Sequence, residues 1–219
     1  MSTETHLREE ICRVGQSLHA RGYVHATAGN ISVRLDDGFL ITPTDACLGT
    51  LEPARLARVE LDGQQSSGDR ASKTFALHRQ IYAADAQAGC ILHTHSTHLV
   101  ALTLQGVWSA DDIVPPITPY FVMKVGHVPL IPYHHPGDPR VLALVKARIN
   151  AMAARGTPLR AVMLDRLGPT VWHRSPAEAS VVLEELEETV RLWLLCKPAP
   201  AALTEQQIDE LRHQFGAAW

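Results

Sequence analysis

The 219-residue sequence predicts an α/β fold with a mainly antiparallel central sheet flanked by helices. Three observations carry that expectation. Apolar residues recur every three to four positions near both ends of the chain, the period of a helix with one face packed. Between them the period drops to two on either side of an Asp-Gly pair, the signature of a hairpin and hence of antiparallel pairing. Helical and extended patterns then alternate with no internal repeat and no linker, so residues 1–219 read as one layered domain.

Leu7, Ile11, Val14 and Leu18 share a helical face over about 5–21, with Gly22 at its C-cap. Ile31, Val33 and Leu35 alternate with polar residues, Asp37-Gly38 supplies the turn, and Phe39-Leu40-Ile41 returns. A short Val59/Leu61 strand precedes a polar loop over 62–69, and Ser72 is placed as N-cap of a helix to Ala84 whose face is Leu77, Ile81 and Ala84. Residues 89–94 read as a buried strand, and 96–105 as a helix. Prolines 115, 116, 119, 129, 132, 136 and 139 make the next stretch irregular; its length and its aromatics Tyr120, Phe121 and Tyr133 mark it as functional. Pro139 opens a helix to about Ala154, 159–164 and 171–172 are strands, and Pro176 at N1 starts a helix to Leu195 carrying a Val182/Leu186/Val190/Trp193 stripe.

Composition narrows the function. A net charge of −3 with 20% charged residues gives no basic surface for nucleic acid. No apolar run is long enough to cross a bilayer, and the polar start MSTETHLREE lacks a signal-peptide core, so a cytoplasmic, membrane-free protein is expected. Cys12, Cys47, Cys90 and Cys196 are scattered and show no CxxC spacing, which argues against a disulfide or cysteine–zinc framework. Histidine stands out at 12 residues, half of them between His93 and His135.

His93 and His95 lie two apart on a predicted strand, so both imidazoles project from one face as a chelating pair for zinc or another divalent metal. An accidental HxH is the competing reading. Gly29 allows close backbone approach, and the Asn30 amide can donate to a phosphate or carboxylate oxygen. Thr44, within Thr-Pro-Thr-Asp, and Ser72 add hydroxyls, and Lys73 adds an ammonium group. Together these segments would form an anion site, although each singly is an ordinary turn or cap sequence. Lys73 is either a solvated side chain or a group for charge neutralisation and proton transfer. Tyr120 is either a phenol donor or a packing residue.

Taken in order, TAGNIS (27–32), ITPTD (41–45), the Ser72 segment ending at Leu77-His78, HTH (93–95) and PYF (119–121) resemble the class II aldolase/adducin family across residues 7–195. Within it, PTDACLG (43–49), HTHSTH (93–98), PPITPYFVMKVG (115–126) and PLIPYHHPGDP (129–139) are most similar to the 3-oxo-tetronate 4-phosphate decarboxylase branch. The resemblance implies a three-layer fold and a phosphorylated keto sugar or sugar acid as substrate. It also implies a divalent metal, most often zinc, with manganese possible, stabilising an enediolate when a bond beside the carbonyl breaks. It gives the phosphate to Gly29, Asn30, Thr44 and Ser72 and the metal to His93 and His95. Tyr120 would reach a neighbouring subunit's site in a homotetramer.

Two positions depart from the family pattern. Where its acid stands, this chain has Lys73 and Thr74; where its third metal histidine stands, it has Leu167. His134, His135 and His173 are the candidates to compensate. Decarboxylation requires no base to remove a carbon-bound proton, so loss of the carboxylate favours it over epimerase or aldolase chemistry. A non-catalytic relative that binds a phosphorylated ligand or a partner, and a sugar-phosphate aldolase, are the alternatives.

Overall fold

The computed structural model describes residues 3–219 and confirms an α/β fold with a mainly antiparallel sheet. Contacts divide the chain into two compact units: one runs to His95 and takes in Trp172–Ser180, and the other comprises Ser96–Val171 and Val181–Trp219.

In the first unit, helix α1 (Thr3–Ala20) buries Ile11, Gly15 and Leu18 on the predicted face. Gly15 is required there, because a Cβ would stand 2.7 Å from the Leu48 carbonyl oxygen. Strands β1 (Asn30–Leu35) and β2 (Gly38–Ile41) form the expected hairpin, but Leu35 pairs with Gly38, so Asp36-Asp37 is the turn and Gly38 belongs to the strand. Gly38 makes room for Arg58, whose Nη1 would lie 2.2 Å from an added Cβ. Arg58 in turn holds Asp37 at 2.7 Å and Glu60 at 2.9 Å.

Strand β3 (Ala57–Glu60) follows, and within residues 62–69, expected as a polar loop, lies a short exposed strand, β4 (Gln65–Ser67). Its residues carry no apolar alternation because neither face is buried. Helix α2 (Phe75–Ala84) starts two residues later than expected, with Thr74 at its N-cap, and buries His78, Ile81 and Tyr82, so Ser72 does not cap it. Strand β5 (Cys90–His93) lies antiparallel to β1. The strand order is β4-β3-β2-β1-β5, and the next strand beside β5 is β8 (Gly168–His173), whose Trp172 and His173 belong to this unit.

The second unit holds α3 (Thr97–Gln105), a π-helical turn over Phe121–Val125 and strand β6 (Leu130–Ile131). Helix α4 (Arg140–Ala154), strand β7 (Ala161–Leu164) and most of α5 (Pro176–Leu195) complete its middle. Its strand order is β8-β7-β6, with β6 and β7 parallel. The α5 stripe is core at Val182, Leu186 and Val190. A further helix, α6 (Glu205–Phe215), was not anticipated; its start is a capping box formed by Thr204 and Gln207. No helix among the described residues is long and apolar enough to cross a membrane.

Candidate active site

The site grows from the β1–β5 ladder, whose last pair sets Asn30 opposite His93. Gly29, at φ +85°, turns the chain away at that point; a Cβ there would fall 2.9 Å from the His93 carbonyl oxygen and 2.8 Å from Val24 Cγ1. Asn30 is buried and its Oδ1 has no hydrogen-bond partner. Such an atom requires an explanation, and a ligand or ordered water beside it is the usual one.

Buried Thr42 ties this corner to the other predicted anion segments. Its Oγ1 accepts from the Ile31 N–H at 3.1 Å, its own N–H donates to Ile31 O at 3.0 Å, and its carbonyl accepts from the Ser72 N–H at 3.2 Å. Pro43 pairs with Ala71, and the Thr44 N–H donates to Arg70 O at 2.9 Å. Gly29-Asn30, Thr44 and Ser72 are therefore linked through one hydrogen-bonded segment. Ser72 and Thr74 hydroxyls stand 2.9 Å apart, and Lys73 between them is exposed.

The strand ends at His93, so His95 is not on it, as the alternation argument had assumed, but in the link to α3. Beyond Asn30 the neighbouring chain has turned at Gly29, leaving residue 95 no ladder partner. The two rings still meet, with centroids 5.2 Å apart at 72°. Two imidazoles on one tetrahedral ion, with metal–nitrogen bonds of about 2.0–2.1 Å, place their ring centres about 5 Å apart, so the pair fits a shared divalent metal. Among the described residues, no set of three or more His, Cys, Asp or Glu side chains is arranged to hold an ion as it stands.

A third histidine, overlooked in the sequence, lies next to this pair: the His25 ring centroid is 6.2 Å from that of His95, again at 72°. Burial first, and the His25 charge second, lower the His95 pKa. His78 is fully buried, and burial together with the charge of His93 pushes its pKa down to about 3, so it is neutral at physiological pH. Its Nδ1 meets Ser32 Oγ at 2.7 Å, Ser32 Oγ meets the Tyr82 hydroxyl at 2.8 Å, and its Nε2 has no partner.

The other histidines considered from the sequence are engaged. His134 Nδ1 meets Asp138 Oδ2 at 3.1 Å, exposed His135 lies beside the same carboxylate at 3.8 Å, and His173 pairs with Glu178. His98 pairs with buried Glu187 at 2.8 Å. Leu167 sits in the tight β7–β8 turn, its N–H donating to Leu164 O at 3.1 Å after Arg166 at φ +61°. Tyr120, in the second unit, opens the π-helical turn and is 58% exposed.

Residues 9–194 match the family model described as Class II Aldolase and Adducin N-terminal domain. The chain is 58% identical over 224 residues to the 3-oxo-tetronate 4-phosphate decarboxylase of Cupriavidus necator, covering 100% of both proteins. It is 41% identical over 212 residues to the enzyme of that name from Escherichia coli, covering 95% of this chain and 96% of the other. The crystal structure of YgbL from Klebsiella pneumoniae, described as an aldolase/epimerase/decarboxylase, superposes with a TM-score of 0.87 at 42% identity over 97% of this chain and 100% of that one.

Proposed function

The chain belongs to the class II aldolase and adducin family, and from that premise we propose that it is a carboxy-lyase converting 3-oxo-tetronate 4-phosphate to dihydroxyacetone phosphate and carbon dioxide. The observation that carries this reading is full-length identity of 58% to a decarboxylase of that name. Residues 1–219 act as a single catalytic domain in this proposal.

Gly29, Asn30, Thr44 and Ser72 hold the phosphate. Their support is the Thr42-centred hydrogen bonding that joins their segments. His93 and His95 hold a divalent metal, zinc or manganese. Such an ion supplies Lewis-acid polarisation of the substrate's keto oxygen. Breaking the bond to the carboxylate releases carbon dioxide and leaves its electron pair on the carbon beside the ketone; one proton must then return to that carbon. Lys73, Thr74 and Tyr120 of a neighbouring subunit are the catalytic groups proposed for orientation and proton return, Lys73 being a solvated ammonium group and Tyr120 an exposed phenol.

Supplying 3-oxo-tetronate 4-phosphate with zinc or manganese should give carbon dioxide release above the metal-only background. Absence of turnover with either metal, in protein shown to be folded, overturns the assignment. A second reading, a relative that binds a phosphorylated ligand without turnover, is favoured by Lys73 and Thr74 at the family's acid position and Leu167 at its third histidine. Metal analysis divides the two: about one retained ion per chain supports the enzyme, and none after supplementation supports the binding protein.

A further inference from the structure

We propose that Trp219 is a positioning residue for Tyr120, bracing from outside the π-helical turn that Tyr120 opens. The inference rests on the reading of Tyr120 as a catalytic group and goes beyond it in naming what keeps that phenol in place. Every residue involved belongs to one compact unit.

The turn lacks the usual support. Single π-helical turns occur mostly inside longer α-helices, whose neighbouring turns hold them. Here no long helix flanks it: Thr118 Oγ1 accepts from the Phe121 N–H at 3.1 Å on one side, and Gly126 at φ +79° ends the turn on the other. Support comes instead from distant segments. Arg160 Nη1 donates to the Met123 and Lys124 carbonyl oxygens at 3.2 and 2.8 Å. Residues 203–219 fasten both sides of Tyr120. Before it, the Leu203 N–H donates to Pro116 O at 2.8 Å; after it, the Trp219 ring packs on Phe121 and His127.

Trp219 is itself fixed. Its ring meets Phe121 edge-on, with centroids 5.6 Å apart at 62°, and stacks on His127 at 4.2 Å and 25°. His127 is held in turn, because its Nδ1 meets Asp112 Oδ2 at 2.8 Å while Asp112 Oδ1 accepts from the Val128 N–H at 3.0 Å. The Trp219 backbone oxygen accepts from Arg212 Nε at 2.9 Å, and α6, which carries Arg212, is seated by buried Ile208. Phe121 is fully buried and follows Tyr120 in the chain, so whatever fixes the Phe121 ring also fixes the Tyr120 backbone. The exposed Tyr120 side chain has no comparable seat of its own.

A phenol that orients substrate or returns a proton must lie within hydrogen-bond reach of the reacting group. Misplacing such a group by about 1 Å costs on the order of 100-fold in rate. Substrate binding through the phosphate residues does not pass through this turn, so loss of the brace falls on kcat rather than KM.

The test is steady-state kinetics of the full chain with 3-oxo-tetronate 4-phosphate and metal, with backbone hydrogen exchange read alongside. The proteins compared are the parent, Trp219→Ala, Trp219→Phe, Tyr120→Phe and the Tyr120→Phe/Trp219→Ala double variant. Trp219→Ala should lower kcat about tenfold or more with KM within about threefold, and Trp219→Phe, which keeps an aromatic stack, should recover most of the loss. In the Tyr120→Phe background the same alanine should cost less than about twofold further, because groups acting as one unit are not additive. Amides of residues 121–127 should exchange faster in Trp219→Ala, while those of β1 and β5 match the parent and show an intact fold. Trp219→Leu, which keeps bulk without the aromatic stack, is read by the same criteria if the alanine variant does not fold. If kcat stays within about twofold of the parent, or the double variant loses as much again as the single one, the positioning role is overturned and Tyr120 keeps its own. If Tyr120→Phe turns over at the parent's rate, or the parent does not turn over, the Tyr120 reading falls and this inference falls with it.

Discussion

His78 shows how one side chain can tie stability to pH. Its pKa in the fold is about 3, against an ordinary value near 6.5, because burial and the neighbouring His93 charge both oppose protonation. Between those values the unfolded chain binds a proton that the native protein does not, so stability is complete above about pH 6.5 and declines as pH falls toward 3. The contribution reaches about 1.4 kcal/mol per pH unit within that window. Urea unfolding at pH 7.5, 6 and 5 should therefore show a slope that is reduced in His78→Leu, whose Ser32 hydroxyl keeps Tyr82 as a partner; an unchanged slope would show that other groups set the acid limit. At Gly29 the same scale explains a motif. TAGNIS is legible in the sequence as a pattern, yet its reason is the positive φ and the 2.9 Å approach of a would-be Cβ to His93 O.

Among the elements, α3 shows why motif reading misassigns neighbours. HTHSTH presents three histidines in six residues, but only the first two bring their rings together. The third, His98, lies in the first turn of α3 against Glu187 of α5, whose carboxylate accepts from the His98 and Leu99 N–H groups at 3.0 and 3.2 Å. An acidic side chain on the unpaired amides of a helix start stabilises it through both hydrogen bonding and the helix dipole. Glu187→Ala leaves those amides without their acceptor and should cost about 2 kcal/mol or more, measured as a lowered urea midpoint with unchanged m-value. A loss below about 0.5 kcal/mol would mean that water replaces the carboxylate fully. Ser72 is the reverse case: a cap residue by type that caps nothing, because α2 starts at Phe75 and the Ser72 hydroxyl is turned to Thr74.

For the whole molecule, the proposed role of Tyr120 makes the assembly part of the site. A tyrosine 58% exposed at the start of a π-helical turn contributes little to its own unit's core, as expected of a group that serves another copy. Sedimentation equilibrium should return the mass of four 24.0 kDa chains at micromolar protein; a monomer with full activity would remove Tyr120 from the mechanism. Helix α6 lies beyond the 9–194 family match, and its following segment brings Trp219 against Phe121 at 5.6 Å and His127 at 4.2 Å. The Thr204–Gln207 box went unread in the sequence, and only the fold shows that it precedes a segment packed on the turn that follows Tyr120.

Periodicity, turn residues and motif order were enough to read the α/β class, the succession of most helices and strands, and the paired histidines, because those signals act over a few consecutive residues. The hairpin turn at Asp36-Asp37, the capping of α3 by a carboxylate 89 residues away, and the approach of His25 to His95 were decided only on folding. Ladder register and packing bring together residues far apart in sequence, and no local pattern encodes which distant side chain completes a site.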